Sequence, residues 1–284
     1  MFRGSEAIKD GILTPTQLRS TAWRRLRQDV YMDSRVDPDH EVMCRAVAMT
    51  LAGKLVFAGP SAAFLHGIKH AAGDRDKVHA IMSKAARLHR HQGMTLHQID
   101  ISDAELLSVR GLICTTPLRT AWDVATMLAP AEAVAIADAL LAMRLVSKEE
   151  LIALAASHRG RRGSQMAANV FDLADAGAQS APESHLRVGL IRAGIPRPVT
   201  QHPVPAGYIV LHPDMAWPEF LVALEYDGHW HADADQLHMD RARLNRLVGA
   251  GWTVLHVTSR RLYRDFDGVV AEVRAALMSR GWPG

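Results

Sequence analysis

Cysteine is scarce in this chain. Cys44 and Cys114 are its two cysteines, and they form no CxxC pair. That excludes a disulfide scaffold and a thiolate zinc finger, and it suits a reducing cytoplasm. Long apolar runs are missing as well. The most apolar stretch, Ala133 to Val146, is interrupted by Asp138 and Arg144 and is too short to span a bilayer. The opening residues, MFRGSEAIKDG, lack the apolar segment of a secretory signal. The expectation is a cytoplasmic protein with no membrane partner. Neither sign of charge dominates: 33 Lys+Arg against 30 Asp+Glu gives +3, so any nucleic-acid-binding charge must be local. No lysine follows Lys148, no internal repeat is present, and every basic residue beyond that point is Arg or His.

What remains is a core-forming sequence. Hydrophobic residues make up 48% of 284, enough for two domains or three small ones. The first zone spans residues 1–35. Ser5 to Asp10 reads as a helix stopped by Gly11, and Thr14-Pro15 reads as a cap with proline at the first helical position. A helix over Thr16 to Ser20 leads into a run containing Arg19, Trp23, Arg24, Arg25 and Arg27, and Val30 to Met32 reads as a strand. Helix, turn, basic helix, strand is the order of a small winged helix. The four arginines are candidate DNA contacts, against the plain alternative of a solvated hairpin face. The middle zone, 36–160, alternates strand-like pieces (Leu55 to Phe57, Val78 to Met82, Thr95 to Ile99) with helices over Pro117 to Leu128 and Ala131 to Arg144. Its Lys84 to His91 segment is basic and His-rich, and it reads as a solvated face in preference to a phosphate contact. A basic glycine loop with Arg159, Arg161 and Arg162 precedes an expected linker at 161–179.

The last zone, 180–284, carries the chemistry. A helix from Ser180 to Ala193 stops at Gly194. Strands are expected at Val199 to Val204, Tyr208 to His212 and Phe220 to Tyr226. A helix over Ala234 to Val248, a strand over Trp252 to Thr258 and a helix over Val269 to Met278 follow. Asp214 at one strand end and Glu225 and Asp227 at the next are expected to converge. Period-two alternation places Glu225 and Asp227 on the face opposite Val222 and Leu224. Converging carboxylates repel unless a cation neutralises them, and hard oxygen donors favour Mg²⁺ or Mn²⁺. Asp240 falls inside the apolar stripe of its helix, where it orients His229 or His231 or forms a salt bridge with Arg243. Glu183 either closes a capping box with Ser180 or points into the site. His229, His231 and His238 also allow a structural zinc reading, which the absence of nearby cysteines disfavours.

The pattern PD-x10-E-x-D on an α-β-β-β-α-β order resembles the PD-(D/E)xK nuclease superfamily. The closer resemblance is to its very-short-patch-repair-endonuclease-like branch of unknown function. It rests on Asp214-Met215-Ala216-Trp217-Pro218, on Glu225-Tyr226-Asp227-Gly228-His229-Trp230-His231, on Asp240 and Arg243, and on Leu247 with Gly251-Trp252-Thr253-Val254. The first two zones resemble the type IV antitoxin-like proteins of the abortive-infection family. That likeness lies in Thr14 to Asp33, in Ala58-Gly59-Pro60-Ser61-Ala62-Ala63-Phe64-Leu65-His66-Gly67, and in Thr116-Pro117-Leu118-Arg119-Thr120-Ala121-Trp122-Asp123.

The resemblance implies an α+β multidomain chain. It would comprise a winged-helix-like element, an α/β middle domain and a restriction-endonuclease-like core. It also implies a metal-dependent DNA endonuclease acting in repair or in defence against phage and mobile elements, with DNA, and a cognate toxin or repair protein, as partners. The metal ligands would be Asp214, Glu225 and Asp227, with Glu183 at the edge of the site. The superfamily's lysine, two residues after the glutamate, is replaced by Asp227. Its role then falls to His229, His231 or Arg243, with His231 or His229 handling the proton and Asp240 fixing the imidazole, and with Arg243 and the Arg159–Arg162 loop as DNA contacts. The alternative is a DNA-binding regulator or antitoxin-like protein whose nuclease fold no longer cuts.

Overall fold

The computed structural model describes residues 1–51, 55–83, 92–228 and 243–284. Lys84 to His91, His229, His231, His238 and Asp240 lie outside the described residues. The chain is a mixed α+β protein that divides into two compact units, Met1–Met127 and Leu128–Gly284. Among the described residues no helix is long and apolar enough to cross a membrane.

The first unit begins with β1 (Phe2–Arg3), α1 (Gly4–Lys9) and α2 (Pro15–Leu18). Thr14 caps α2 in a reciprocal box. The Gln17 amide donates to Thr14 Oγ1 at 3.2 Å, and the Thr14 amide donates to Gln17 Oε1 at 2.8 Å. The arginine run, expected to be helical, is instead a strand. β2 (Trp23–Arg27) pairs antiparallel with β3 (Val30–Asp33), in the sheet order β1-β3-β2. A tight turn through Gln28 and Asp29 makes the hairpin, with Asp29 at φ +61°. The Ser5 amide and hydroxyl donate to the Asp29 carboxylate at 2.7 and 2.5 Å and hold it there. A hairpin turn without Asn or Gly gives little warning in sequence.

After α3 (His40–Thr50) come β4 (Val56–Phe57), α4 (Gly59–Leu65), β5 (Val78–Met82), β6 (Met94–Gln98), β7 (Leu106–Val109), β8 (Leu112–Thr115) and α5 (Pro117–Met127). The strands form one sheet, β6-β5-β4-β8-β7. Its core holds Val47, Phe57, Leu65 and Val78 together with both cysteines. Burial pushes the Cys44 thiol up to about 12 and that of Cys114 to about 11, which leaves both unreactive.

The second unit opens with four helices: α6 (Pro130–Ala142), α7 (Lys148–Ser157), α8 (Ser164–Leu173) and α9 (Ala181–Arg192). Then follow β9 (Val199–Thr200), β10 (Val204–Ala206), β11 (Ile209–Leu211), β12 (Met215–Trp217) and β13 (Val222–Asp227). Helical residues 243–249 (α10), β14 (Thr253–Thr258), α11 (Ser259–Arg264) and α12 (Phe266–Ser279) complete it. The expected boundaries at 160 and 180 therefore fall inside this unit. The reason is a buried polar cluster between α6 and α9. Asp138 Oδ2 accepts from Arg187 and from Ser184 Oγ, each at 2.6 Å, and Asp138 Oδ1 accepts the Asp175 amide at 2.7 Å. The Arg159–Arg162 segment is an exposed loop between α7 and α8. Lys148 closes the far end of α8. Its ammonium donates to the carbonyls of Phe171, Asp172 and Ala174 at 2.6, 2.8 and 2.6 Å.

The main sheet of this unit runs β14-β13-β12-β9, with β13 and β14 parallel and the other pairs antiparallel. Its strands follow α9 in chain order as three strands, helical residues 243–249, then a fourth strand. One of those strands differs from expectation. Tyr208 to His212 lies in a separate hairpin, β10–β11, and the strand beside β13 is Met215–Trp217. Leu186, Leu190, Met215, Leu224, Val257 and Val273 fill the core between sheet and helices.

Candidate active site

The register of β12 on β13 sets the site. Met215 lies opposite Leu224, so Asp214, one residue earlier, comes opposite Glu225. The backbone amide of Tyr226 donates to Asp214 Oδ2 at 2.8 Å, and the Asp214 amide donates to Glu225 Oε2 at 3.4 Å. Gln201, held at φ +49° after β9, offers its side-chain amide to Asp214 Oδ1 at 3.5 Å. Burial raises both acids above the usual carboxylate range. At Glu225 the neighbouring Asp214 charge adds to the rise, and at Asp214 the Asp227 charge does so more weakly.

Among the described residues Arg243 is the cation beside the pair. It donates to Glu225 Oε1 at 2.9 Å and to the His212 carbonyl at 2.5 Å. The Glu225 pairing is a contact not expected for it, and the Asp240 alternative falls outside the described residues. Asp227 lies on the Glu225 face of β13 but turns to the neighbouring strand, where its carboxylate meets His256 Nδ1 at 3.1 Å. The parallel register pairs Glu225 with His256 and Asp227 with Thr258, which puts His256 on the same face. His256, which sits in an apolar stretch of sequence, reads there as a core or edge residue. Alternation along β14, which separates His256 from Leu255 and Val257, is the signal for it. Gln201 has no such signal: it is a loop residue.

Glu183 forms half of the expected capping box, its amide donating to Ser180 Oγ at 3.4 Å, while its carboxylate takes up groups other than the Ser180 amide. Ser180 Oγ donates to its Oε1 at 2.7 Å, and the Gln179 amide donates to its Oε2 at 2.9 Å. Burial raises its pKa and the Asp214 charge adds to the rise, so the cap also lies within electrostatic reach of the pair.

Asp214 and Glu225 fit a hard divalent cation in donor type and charge: both are half-buried oxygen donors that share one counter-charge, Arg243, among the described residues. The expected three-carboxylate set is not gathered at one point. Among the described residues no group of three or more His, Cys, Asp or Glu side chains is disposed to hold a metal ion.

The arginines of the first unit are only partly available. Arg24 pairs with Asp37 at 3.4 Å, and Arg27 donates to the Gln92 carbonyl at 3.1 Å, while Arg19 and Arg25 are exposed.

Comparison with known proteins gives two curated relatives from Mycobacterium tuberculosis. They are "Uncharacterized protein MT2308" of strain CDC 1551 / Oshkosh and "Uncharacterized protein Rv2248" of strain ATCC 25618 / H37Rv. Each is 30% identical over 241 residues, covering 84% of this chain and 86% of the relative. The chain belongs to their family. The alignment is longer than either compact unit, so the family shares sequence across both. No family model and no solved structure matches the chain.

Proposed function

We propose that this chain is a metal-dependent DNA endonuclease of the PD-(D/E)xK type, acting in repair or in defence against phage and mobile elements. The observation that carries the reading is the meeting of Asp214 and Glu225 across β12 and β13, on a helix–three strands–helix–strand order. Two half-buried carboxylates side by side weaken a fold unless cations or a proton relieve them in full, so their juxtaposition needs a reason beyond packing.

Asp214 and Glu225 would hold Mg²⁺ or Mn²⁺. A bound ion of this kind polarises a scissile phosphate and lowers the pKa of a bound water. The Tyr226 amide and Gln201 fix the direction of the Asp214 carboxylate. Glu183 adds negative charge behind the pair. His231, or His229, is the proposed proton-handling group in place of the superfamily's lysine, with Asp240 fixing its tautomer. The winged-helix-like reading of the first unit now rests on α2 and the β2–β3 hairpin as wing, with Arg19 and Arg25 as its exposed cations.

One observation favours the second reading, a DNA-binding regulator or antitoxin-like protein that no longer cuts: Arg243 already neutralises Glu225. A cleavage panel of duplex, nicked, mismatched and single-stranded DNA with Mg²⁺ or Mn²⁺ separates the two. An active site predicts cleavage that Asp214→Ala and Glu225→Ala each abolish while DNA affinity is retained. Binding to DNA without cleavage of any substrate would establish the second reading.

A further inference from the structure

Two histidines far from the carboxylate pair in sequence face each other on the five-stranded sheet. β5 and β6 run parallel, with His79 opposite Thr95 and Ile81 opposite His97. That register makes His79 and His97 diagonal neighbours on one sheet face. His97 Nε2 stands 3.4 Å from His79 Nδ1, with ring centroids 5.5 Å apart and ring planes inclined by 31°. Without an ion the contact is a long hydrogen bond, beyond the usual range of about 2.7–3.2 Å. Two imidazole nitrogens bound to one tetrahedral ion at about 2.0–2.1 Å stand about 3.4 Å apart.

Three further features bear on the pair. Both rings are held neutral, the form a metal needs. Burial, with the repulsion that protonated His97 or His40 would exert behind it, takes His79 down to about 4, and burial lowers His97. The backbone of β5 is fixed at this point, since the His79 amide donates to Ser61 Oγ at 2.8 Å. Beside His79 Nδ1 the chain turns through Gly59 at φ +53°. A Cβ on that residue would stand 4.0 Å from His79 Nδ1 and 3.0 Å from Met127 Sδ. The space next to the nitrogen is thus clear of a side chain from Gly59.

We infer that His79 and His97 form a two-imidazole site for a borderline transition-metal ion of the zinc class, with water completing its coordination. Imidazole donors select such ions over the hard cations suited to Asp214 and Glu225. The inference is independent of any nuclease activity.

Equilibrium dialysis of the full chain against Zn²⁺ tests it. His79→Ala and His97→Ala should each remove one equivalent of bound Zn²⁺, or weaken it at least about tenfold, while Asp214→Asn leaves that equivalent in place. Unchanged stoichiometry and affinity in both histidine variants would overturn the inference. Should either variant fail to fold by circular dichroism, the wild-type chain decides. Mass-spectrometric mapping of diethyl pyrocarbonate modification should show both rings protected by Zn²⁺ and neither by Mg²⁺. Equal modification with and without Zn²⁺, or equal protection by Mg²⁺, would refute the site.

Discussion

At Asp214 the native state resists ionisation. Burial, with the Asp227 charge behind it, raises its pKa against the opposing pull of the Tyr226 amide and Arg243, and the sign of the consequence follows. Below the ordinary carboxylate range the acid is protonated whether the chain is folded or unfolded, so its raised pKa costs nothing. As pH climbs, the unfolded chain releases the proton first, so stability falls until the folded-state pKa is passed. Asp214→Asn keeps an oxygen for the Tyr226 amide and removes the charge. It should therefore match wild type near pH 4 and melt at a higher temperature at pH 7, as followed by thermal denaturation at both. Mg²⁺ at millimolar concentration should raise the wild-type melting temperature at pH 7 and leave that of Asp214→Asn in place. A second prediction concerns His231. Its replacement by Ala should slow cleavage by roughly 10²–10⁴-fold, the range for one acid–base group, with metal affinity retained.

Between elements, the Asp138–Arg187 contact ties the helices after Leu128 to the sheet domain. Both side chains are almost wholly buried, and Arg187 also donates to the Leu173 carbonyl at 2.6 Å. Removing one member leaves the other buried without its counter-charge. Asp138→Leu should accordingly cost about 3–5 kcal/mol in urea unfolding. The double variant Asp138→Leu/Arg187→Met should recover a large part of that loss, because an apolar pair replaces an ionic one. The same helix packs closely at a second point. A Cβ on Gly189 would overlap the ring of Phe266, at the start of α12. Gly189→Ala should therefore destabilise the unit by about 1–3 kcal/mol despite alanine's better helix propensity.

Across the whole molecule, local signals were legible and long-range ones were not. Thr14, Ser180 and Gly194 marked helix ends because capping chemistry lies within a few residues of the backbone it serves. The Asp214–Glu225 meeting was readable from spacing, although the strand that produces it was misplaced. Met215–Trp217 is three residues long and directly precedes Pro218, so it shows too little alternation to register, and the more regular Tyr208 to His212 took its place. Asp138 looked like a mere interruption of an apolar stretch, because its partner Arg187 is 49 residues away. The arginine strand was hidden by its unmarked turn. These placements also sharpen the DNA-binding prediction. Deleting residues 1–35 would disturb packing as well as charge, since Arg3 donates to the Met49 carbonyl at 2.6 Å. The exposed residues are the better probes. Arg19→Gln with Arg25→Gln, and separately the triple change of Arg159, Arg161 and Arg162 to Gln, should each weaken DNA binding. Each should also flatten the salt dependence, by about one unit of slope for every phosphate no longer neutralised.

Lys148 gives the chain a chemical asymmetry. It is the last lysine in the sequence, and its ammonium is committed to three backbone carbonyls at the end of α8. Residues 149–284 therefore offer no amine to acylating reagents, to isopeptide-forming tags or to a lysine-specific protease. Such a protease, acting on the folded protein, should nick the first unit and leave the second whole. The sheet carrying Asp214 and Glu225 therefore stays on one uncut stretch of chain.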